Sequence, residues 1–157
     1  MTSVEKVIPG ITLSTDIIVG FPGETEAQFE ETLTLVADAD LDDAYTFKYS
    51  IRDGTPAVRL KDQVPDAIAS ARLERLIEAV RANARRKNAA RVGQVHEVLV
   101  ERPARRGDLM LGRTRTNHLV LLDLPASAVG EYHCCRLTGT TGSTFTGALA
   151  APALAVL

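Results

Sequence analysis

The first half of the chain combines apolar runs with amphipathic stretches in an order that predicts a β-α-β unit. Residues 11–21 are rich in Ile, Val and Thr and carry few charges, which is typical of a strand buried on both faces in a parallel sheet. Residues 26–39 repeat apolar side chains at helical spacing, and Thr25 and Gln28 are placed to form a capping box at the start of that helix. Residues 44–50 alternate between apolar and polar side chains, which predicts a second strand.

A long helix and a β-rich segment follow. Pro65 precedes a predicted helix over residues 66–91, whose apolar stripe is formed by Leu73, Leu76, Ile77 and Val80. After Gly93 the hydrophobic period becomes two, and turn residues separate five predicted strands at 94–101, 109–115, 118–123, 132–138 and 144–149. Five short strands in about 60 residues fit a small closed antiparallel barrel of the OB or SH3-like kind.

The predicted fold class is therefore α/β plus all-β. We expect an α/β unit at residues 1–91, a β-barrel at 92–150, and a tail rich in Ala, Pro and Leu at 151–157. Two parallel strands leave open edges and an uncovered face, whereas parallel sheets are usually wider and covered on both faces. The α/β unit is accordingly expected to be the end of a larger barrel or sheet, in a C-terminal portion, a truncated product or one part of an assembly. The alternative is a compact α+β domain in which these elements pack on the barrel.

Composition is that of a globular protein, and the charge is unevenly distributed. Hydrophobic residues make up 45% and charged residues 24% of the 157. No apolar run reaches the length of a membrane span, and the first residues lack a signal-peptide core, so a cytoplasmic protein is expected. Residues 1–71 hold 5 lysines and arginines against 13 aspartates and glutamates, whereas residues 72–118 hold 12 against 5. A basic block in a chain of net charge −2 predicts a surface for a polyanion.

The cysteines and histidines do not predict a metal site. Cys134 and Cys135 are adjacent, so on a strand they point to opposite faces and are poor disulfide partners. Two cysteines also cannot hold an iron–sulfur cluster, which needs about four ligands. The three histidines, His96, His118 and His133, lack metal-ligand spacing. Both cysteines are expected to pack within a strand.

Two sequence blocks together resemble a known enzyme family. Residues 15–33 (TDIIVGFPGETEAQFEETL) and 44–57 (AYTFKYSIRDGTPA) resemble the last third of the radical-SAM barrel of tRNA methylthiotransferases. Residues 94–120, which include QVHEVLVE and GRTRTNHLV, resemble the C-terminal TRAM domain of that family. The GRTRTN segment is similar to the MiaB-type enzymes, which modify isopentenylated adenosine beside the anticodon. The resemblance covers residues 8–149, and the order and spacing of the blocks make it specific.

The resemblance implies a chemistry that this chain does not complete. In the family, a 4Fe-4S cluster cleaves S-adenosylmethionine, and the resulting radical activates the base carbon before sulfur and methyl are added. The CxxxCxxC motif and three further cluster cysteines lie upstream in the family and are not in this sequence. The chain is therefore expected to contribute tRNA binding and part of the S-adenosylmethionine pocket, to be inactive alone, and to retain neither cofactor. The implied partners are the anticodon region of tRNA and the missing N-terminal part of the enzyme.

The resemblance also assigns residues to the cofactor. The GFPGE turn follows a strand and opens a helix, where backbone N–H groups are available to a ligand. Five residues at the ends of two strands are implied to lie against S-adenosylmethionine: Val19, Gly20, Phe47, Lys48 and Tyr49. Asp16, a carboxylate in an apolar run, is expected either to face the barrel lumen or to accept a hydrogen bond from a neighbouring backbone group.

The candidate RNA-binding residues lie on the predicted barrel. Guanidinium groups match phosphate geometry, and a neighbouring amide and imidazole are placed to contact a base or sugar. The candidates are Arg105, Arg106, Arg113, Arg115, Asn117 and His118. Tyr132 and Phe145 are the only barrel aromatics, so we expect binding that is mainly electrostatic and shape-reading. The helix cluster Arg81, Arg85, Arg86 and Lys87 extends the basic region, and a solvated basic face is the alternative for both sets.

Three functional hypotheses follow. The first is a C-terminal portion of a MiaB-type tRNA methylthiotransferase, favoured by the order of GFPGET and GRTRTN. The second is a free-standing TRAM-type RNA-binding protein with a vestigial α/β arm, favoured by the basic segment and the missing cysteines. The third is a structural partner that docks through residues 1–60.

Overall fold

The computed structural model describes residues 6–105 and 107–150. Within these ranges the chain forms two compact units, 6–84 and 85–150, and the division falls inside a helix. No helix of the described ranges is both long and apolar enough to cross a bilayer.

The first unit contains the predicted β-α-β arrangement. Its elements are β1 (Ser14–Val19), α1 (Glu26–Asp38), β2 (Asp43–Lys48), a 3-10 turn (Pro56–Arg59) and α2 (Asp66–Arg91), which continues into the second unit. Strands β1 and β2 pair in parallel along their whole length. The capping box at α1 is confirmed, because Thr25 Oγ1 accepts from the Gln28 backbone N–H at 3.3 Å and Gln28 Oε1 accepts from the Thr25 N–H at 2.9 Å.

The helices cover one face of this small sheet, and the other face is open. The covered face carries the buried cluster Val19, Phe29, Val36, Leu76 and Val80. On the opposite face Ile18 is 55% exposed and its register partner Phe47 is 49% exposed. The prediction of a strand buried on both faces is therefore wrong for β1 in the described ranges, because no second layer covers the open face. Asp16 is exposed, so it is not a buried acceptor.

The second unit is a closed five-stranded barrel. Its elements are the end of α2, β3 (Val95–Pro103), β4 (Met110–Thr114), β5 (Leu119–Leu122), a 3-10 turn (Ala126–Ala128), β6 (Tyr132–Thr140) and β7 (Thr144–Leu149). The strand order around the barrel is β3-β4-β5-β7-β6. The predicted closed barrel is confirmed, but the prediction that it is wholly antiparallel is wrong, because β5 and β7 are parallel. Strand β6 pairs antiparallel with both β3 and β7. The following strand, β7, therefore lies between β6 and β5 and runs in the same direction as β5. This order fits the OB type of Greek-key barrel.

Alternate residues of every strand fill the barrel. The buried cluster consists of Val98, Val100, Met110, Val120, Leu122, Ala128, Cys135, Leu137 and Phe145. Strand β4 contributes Gly112, where an added Cβ would lie 2.6 Å from Val98 Cγ1 and 2.8 Å from the Leu99 carbonyl oxygen. A glycine is therefore required for β3 and β4 to approach this closely.

The two adjacent cysteines are predicted to differ in reactivity. Cys134 is exposed, whereas Cys135 is buried in the barrel. Burial raises the pKa of the Cys135 thiol, and the neighbouring Cys134 makes a smaller contribution in the same direction. Since the thiolate is the reactive form, iodoacetamide at pH 8 should modify Cys134 ~10-fold or more faster than Cys135. Peptide mass spectrometry of a time course measures both rates. Equal rates in the folded protein would contradict the inward position of Cys135, and Cys134→Ser provides the matched control.

Candidate functional site

The outward surface of strands β4, β3 and β6 brings together two of the four barrel arginines predicted from the sequence, Arg113 and Arg115, and an aromatic ring. Leu99 of β3 lies opposite Arg113 of β4 on one side and Tyr132 of β6 on the other. In the next row Glu97 lies opposite Cys134 and binds Arg115. We call this surface the β3 face, and it consists of Glu97, Leu99, Arg113, Arg115, Tyr132 and Cys134.

Arg113 is largely occupied by protein groups. Its Nε and Nη2 donate to the two carboxylate oxygens of Glu101 at 2.8 and 3.3 Å, and its Nη1 donates to Asn117 Oδ1 at 2.7 Å. The hydrogen bond to Glu101 raises the pKa of Arg113, so the cation is retained. Asn117 has a φ of 68°, at the turn between β4 and β5. The geometry gives Arg113 and Asn117 an architectural role at this turn, and their contact with RNA stays a prediction.

Arg115 is fixed at one atom and accessible at the others. Its Nε donates to Glu97 Oε1 at 2.7 Å, and its side chain is 80% exposed. Neither terminal amino group makes a hydrogen bond to residues 6–105 or 107–150. The hydrogen bond to Glu97 raises the pKa of Arg115, which therefore remains charged. A positioned guanidinium with two open amino groups suits a phosphate oxygen pair.

His118 is directed into the barrel end rather than onto the β3 face. Its ring meets Phe145 edge-on, with centroids 5.7 Å apart, and its Nδ1 lies 3.0 Å from Thr116 Oγ1. Its backbone N–H donates to the buried Thr114 hydroxyl at 3.0 Å. Phe145 is itself fully buried, so Tyr132 is the only one of the two predicted barrel aromatics that a nucleic acid can reach.

The remaining predicted cations are placed separately. Arg105 is exposed in the β3–β4 loop, and Arg106 lies outside the described residues. A further cation, Arg102, is not among the residues predicted from the sequence; it is exposed and pairs with Leu111 beyond an irregularity in β3. The predicted strand ended at residue 101, and the irregularity shifts the alternation of side chains, so the hydrophobic pattern did not place Arg102 within β3.

The helix cluster divides between the two units. Arg81 belongs to the first unit, and Arg85, Arg86 and Lys87 belong to the second, where each has an interaction partner in the chain. This end of α2 packs on the β6–β7 turn: Asn88 Nδ2 donates to the Gly142 carbonyl at 2.8 Å. An added Cβ at Gly142 would lie 2.7 Å from Arg85 Cγ. The helix end is therefore part of the barrel unit's structure.

In the α/β unit, the GFPGE turn is closed by its own glutamate. Gly20 has a φ of 76°, and its N–H donates to Glu24 Oε2 at 2.7 Å. The same oxygen accepts from Arg72 Nη1 at 2.7 Å. An added Cβ at Gly20 would lie 2.6 Å from Ala69 Cβ, so only glycine permits this close approach of the turn to α2. The Gly20 N–H is thus engaged within the chain rather than open to a ligand.

The other predicted cofactor residues fall on two faces of the sheet. Val19 is buried in the helix-covered core, and Lys48 Nζ donates to Asp66 Oδ1 at 2.6 Å and to Ser70 Oγ at 3.1 Å. The hydrogen bond from Lys48 lowers the pKa of Asp66. Phe47 is on the open face, half exposed.

Tyr49 carries an unsatisfied polar atom. Its ring meets Phe21 edge-on at 5.2 Å between centroids, and its hydroxyl is buried without a hydrogen-bond partner. A buried hydroxyl without a partner is costly, so this atom is suited to a group that the chain itself does not supply. Within residues 6–105 and 107–150 no cluster of three or more His, Cys, Asp or Glu side chains is placed to hold a metal ion.

Comparison with known proteins identifies relatives that match most of this chain. A protein of Clostridium botulinum (strain Langeland) named tRNA-2-methylthio-N(6)-dimethylallyladenosine synthase is 44% identical over 148 residues, which is 94% of this chain and 33% of that protein. Proteins of the same name from Moorella thermoacetica and Bacillus cytotoxicus are 49% and 45% identical over 88% and 86% of this chain, and 31% and 27% of theirs. The chain thus spans about a third of the length of these relatives. No protein-family model matches it.

Proposed function

The chain is a relative of the tRNA-2-methylthio-N(6)-dimethylallyladenosine synthases, which confirms the family resemblance, and we propose that it forms the C-terminal portion of such an enzyme. In this proposal the barrel is a TRAM domain that binds the anticodon region of tRNA, and the α/β unit completes a radical-SAM barrel in the cytoplasm. The observation that carries the proposal is the match over 148 residues, 94% of this chain, which includes most of both units.

The open face of β1 and β2 fits a place inside a larger barrel. Ile18, Tyr45 and Phe47 are each about half exposed or more on this face, beside the carboxylate of Asp16. Further parallel strands and a bound ligand would bury these side chains, as both faces of a parallel sheet normally are. The third hypothesis, docking of residues 1–60 on a separate protein, uses the same face and differs only in whether the covering strands belong to the same enzyme.

The cofactor assignment is supported in part by side-chain chemistry. Phe47 offers a ring for adenine, and the Tyr49 hydroxyl offers an unpaired polar atom. Val19, Gly20 and Lys48 would contribute through their position alone, because the Val19 side chain is buried in the core and the Gly20 N–H and the Lys48 ammonium group are engaged within the chain. When bound beside a cluster, S-adenosylmethionine supplies the radical in this family. Cys134 and Cys135 do not fit the cluster, because only one is accessible on the barrel surface, so this chain is proposed to be inactive alone.

A chimaeric enzyme tests the assignment to this family of reactions. We would replace the matching third of the Clostridium botulinum relative with this chain and express it in bacteria that lack their own enzyme. Mass spectrometry of tRNA nucleosides should then detect the 2-methylthio modification. The relative without its matching third serves as the negative control. A soluble chimaera that leaves the tRNA unmodified would refute the proposed enzyme portion.

The RNA-binding part is tested at Arg115. Arg115→Ala should weaken tRNA binding by the isolated chain about threefold to tenfold at about 0.1 M salt, and should reduce the slope of log Kd against log salt by about one, because one phosphate contact is lost. Fluorescence anisotropy across a salt series measures both quantities.

The matched control is Arg75→Ala. Arg75 is a half-exposed arginine of the α/β unit that is also bound to glutamates, so the change in total charge is the same. Equal effects of the two substitutions would show that the β3 face is not the RNA surface. The alternative of a free-standing RNA-binding protein predicts the same Arg115 result but an inactive chimaera, so the two experiments separate the hypotheses.

A further inference from the structure

We propose that Tyr132 and Arg115 form a site for one unpaired nucleotide, with the base stacked on the tyrosine ring and the phosphate on the guanidinium. The inference rests on the proposed RNA-binding function and specifies what the β3 face recognises: a single-stranded segment rather than a helix.

The first observation is that the arginines of the β3 face are each beside a carboxylate. Arg115 is hydrogen-bonded to Glu97, and Arg113 is held by both oxygens of Glu101. A phosphate at either guanidinium therefore lies close to a second anion, which offsets much of its attraction. Electrostatics alone is a weak basis for RNA binding at these positions, and another source of affinity is required.

The second observation is that an accessible aromatic ring lies on the same surface. Tyr132 is 63% exposed, and it is separated from Arg113 only by Leu99 in one cross-strand row. In the adjacent row, Glu97 lies opposite Cys134 and binds Arg115, so Arg115 and Tyr132 flank the same strand. Strands β4 and β6 lie on either side of β3, about two spacings of 4.8 Å apart, and the long arginine side chain and the tyrosine ring both extend from this surface toward a nucleotide placed across β3.

The third observation is the way in which Arg115 is held. Glu97 binds Nε and leaves both terminal amino groups open, so the guanidinium is oriented before a ligand arrives. Orientation in advance reduces the entropy lost on binding. The ring and the arginine then provide the two contacts that a nucleotide offers, a flat base and an anionic phosphate.

This arrangement favours unpaired RNA. In an A-form duplex the bases are stacked on one another and their flat faces are not available, whereas single-stranded bases can be splayed onto aromatic side chains. Stacking is also tolerant of sequence, because every base has a flat face. The site should therefore distinguish single-stranded from duplex RNA without strong base preference.

Two substitutions at Tyr132 test the proposal. Tyr132→Leu keeps an apolar side chain but removes the ring, and should weaken binding of a short single-stranded RNA about tenfold. Tyr132→Phe keeps the ring and should change binding by less than about threefold. The affinity for a blunt duplex RNA of the same length should be equal for the unmodified chain, Tyr132→Leu and Tyr132→Phe. The slope of log Kd against log salt should be unchanged by Tyr132→Leu, because no charge is removed.

The outcomes separate this inference from the proposed function. Suppose that Arg115→Ala weakens tRNA binding but Tyr132→Leu binds single-stranded RNA like the unmodified chain. The proposed stacking site is then refuted, whereas the proposed RNA-binding role of the barrel is retained. If neither substitution changes binding, both are wrong. Quenching of tyrosine fluorescence by bound RNA should decrease in Tyr132→Leu, in which only Tyr45 and Tyr49 remain. A change in folding alone would not reproduce this decrease when the unfolding midpoint is unchanged.

Discussion

Replacing Arg72 by alanine is expected to destabilise the α/β unit by about 3–5 kcal/mol, the cost of breaking a buried ion pair by removing one partner. The Arg72 side chain is 7% exposed and the Glu24 side chain is 13% exposed, and their atoms lie 2.7 Å apart. Without the guanidinium, the Glu24 carboxylate would keep only the Gly20 N–H as a partner. Arg72 also lies over the Phe29 ring, 5.7 Å from its centroid, so packing is lost together with charge.

Hydrogen exchange of the amides in α1 and α2 measures this loss in the intact chain. The control is Arg75→Ala, which removes an arginine from the same network of glutamates and from the same ring, but from a half-exposed position. Exposed ion pairs contribute little, so this change should cost much less than Arg72→Ala. Equal losses of stability for Arg72→Ala and Arg75→Ala would contradict the expectation that burial makes the Arg72–Glu24 pair important.

The ion pair connects fold stability to the proposed cofactor pocket. Glu24 bridges Gly20 at the end of β1 and Arg72 of α2, so the shape of the GFPGE turn depends on a residue far away in the sequence. The motif therefore has a structural reason for its glutamate that is independent of any ligand. The turn does not need a bound cofactor to be formed.

The sequence was sufficient to predict the elements because each has a strong local signal. The capping box at Thr25 defines the start of α1, and the change of hydrophobic period after Gly93 defines the start of the barrel. The two helices and seven strands of the described ranges lie within a few residues of their predicted positions. The pairing of the strands could not be predicted in the same way, because the parallel pairing of β5 with β7 depends on the position of β6 in the barrel.

The candidate site was predicted less completely, because its chemistry depends on which side chains meet. The basic pattern identified Arg113 and Arg115, but nothing in their local sequence indicates that glutamates on β3 bind both of them. In the same way, the motif that includes Lys48 does not reveal that its ammonium group binds Asp66, 18 residues away. Long-range pairing of charges is set by strand register and helix position, which composition and spacing do not encode.

Replacing Phe145 by alanine should destabilise the barrel by about 3–5 kcal/mol, because it leaves a cavity at a fully buried position. The ring contacts His118 edge-on and lies opposite Val120 in the parallel pair that closes the barrel. Its loss removes packing from the one junction where β5 and β7 meet. Tyr132→Ala, at the other barrel aromatic, should cost less than about 1 kcal/mol because that side chain is exposed.

Comparing the two substitutions separates the structural aromatic from the proposed RNA-binding one. Hydrogen exchange of barrel amides and RNA anisotropy would be measured on both proteins at a temperature where each remains folded. Phe145→Ala should lower the free energy of opening and leave the affinity of the folded fraction nearly unchanged, whereas Tyr132→Ala should do the reverse. The contrast follows from the alternation of side chains along a strand, in which successive positions face the core and the solvent. Phe145 occupies a core-facing position of β7, and Tyr132 occupies a solvent-facing position of β6. A large loss of stability for Tyr132→Ala would instead mean that the outer ring is a packing residue, and the β3 face would lose its only accessible aromatic in the described barrel.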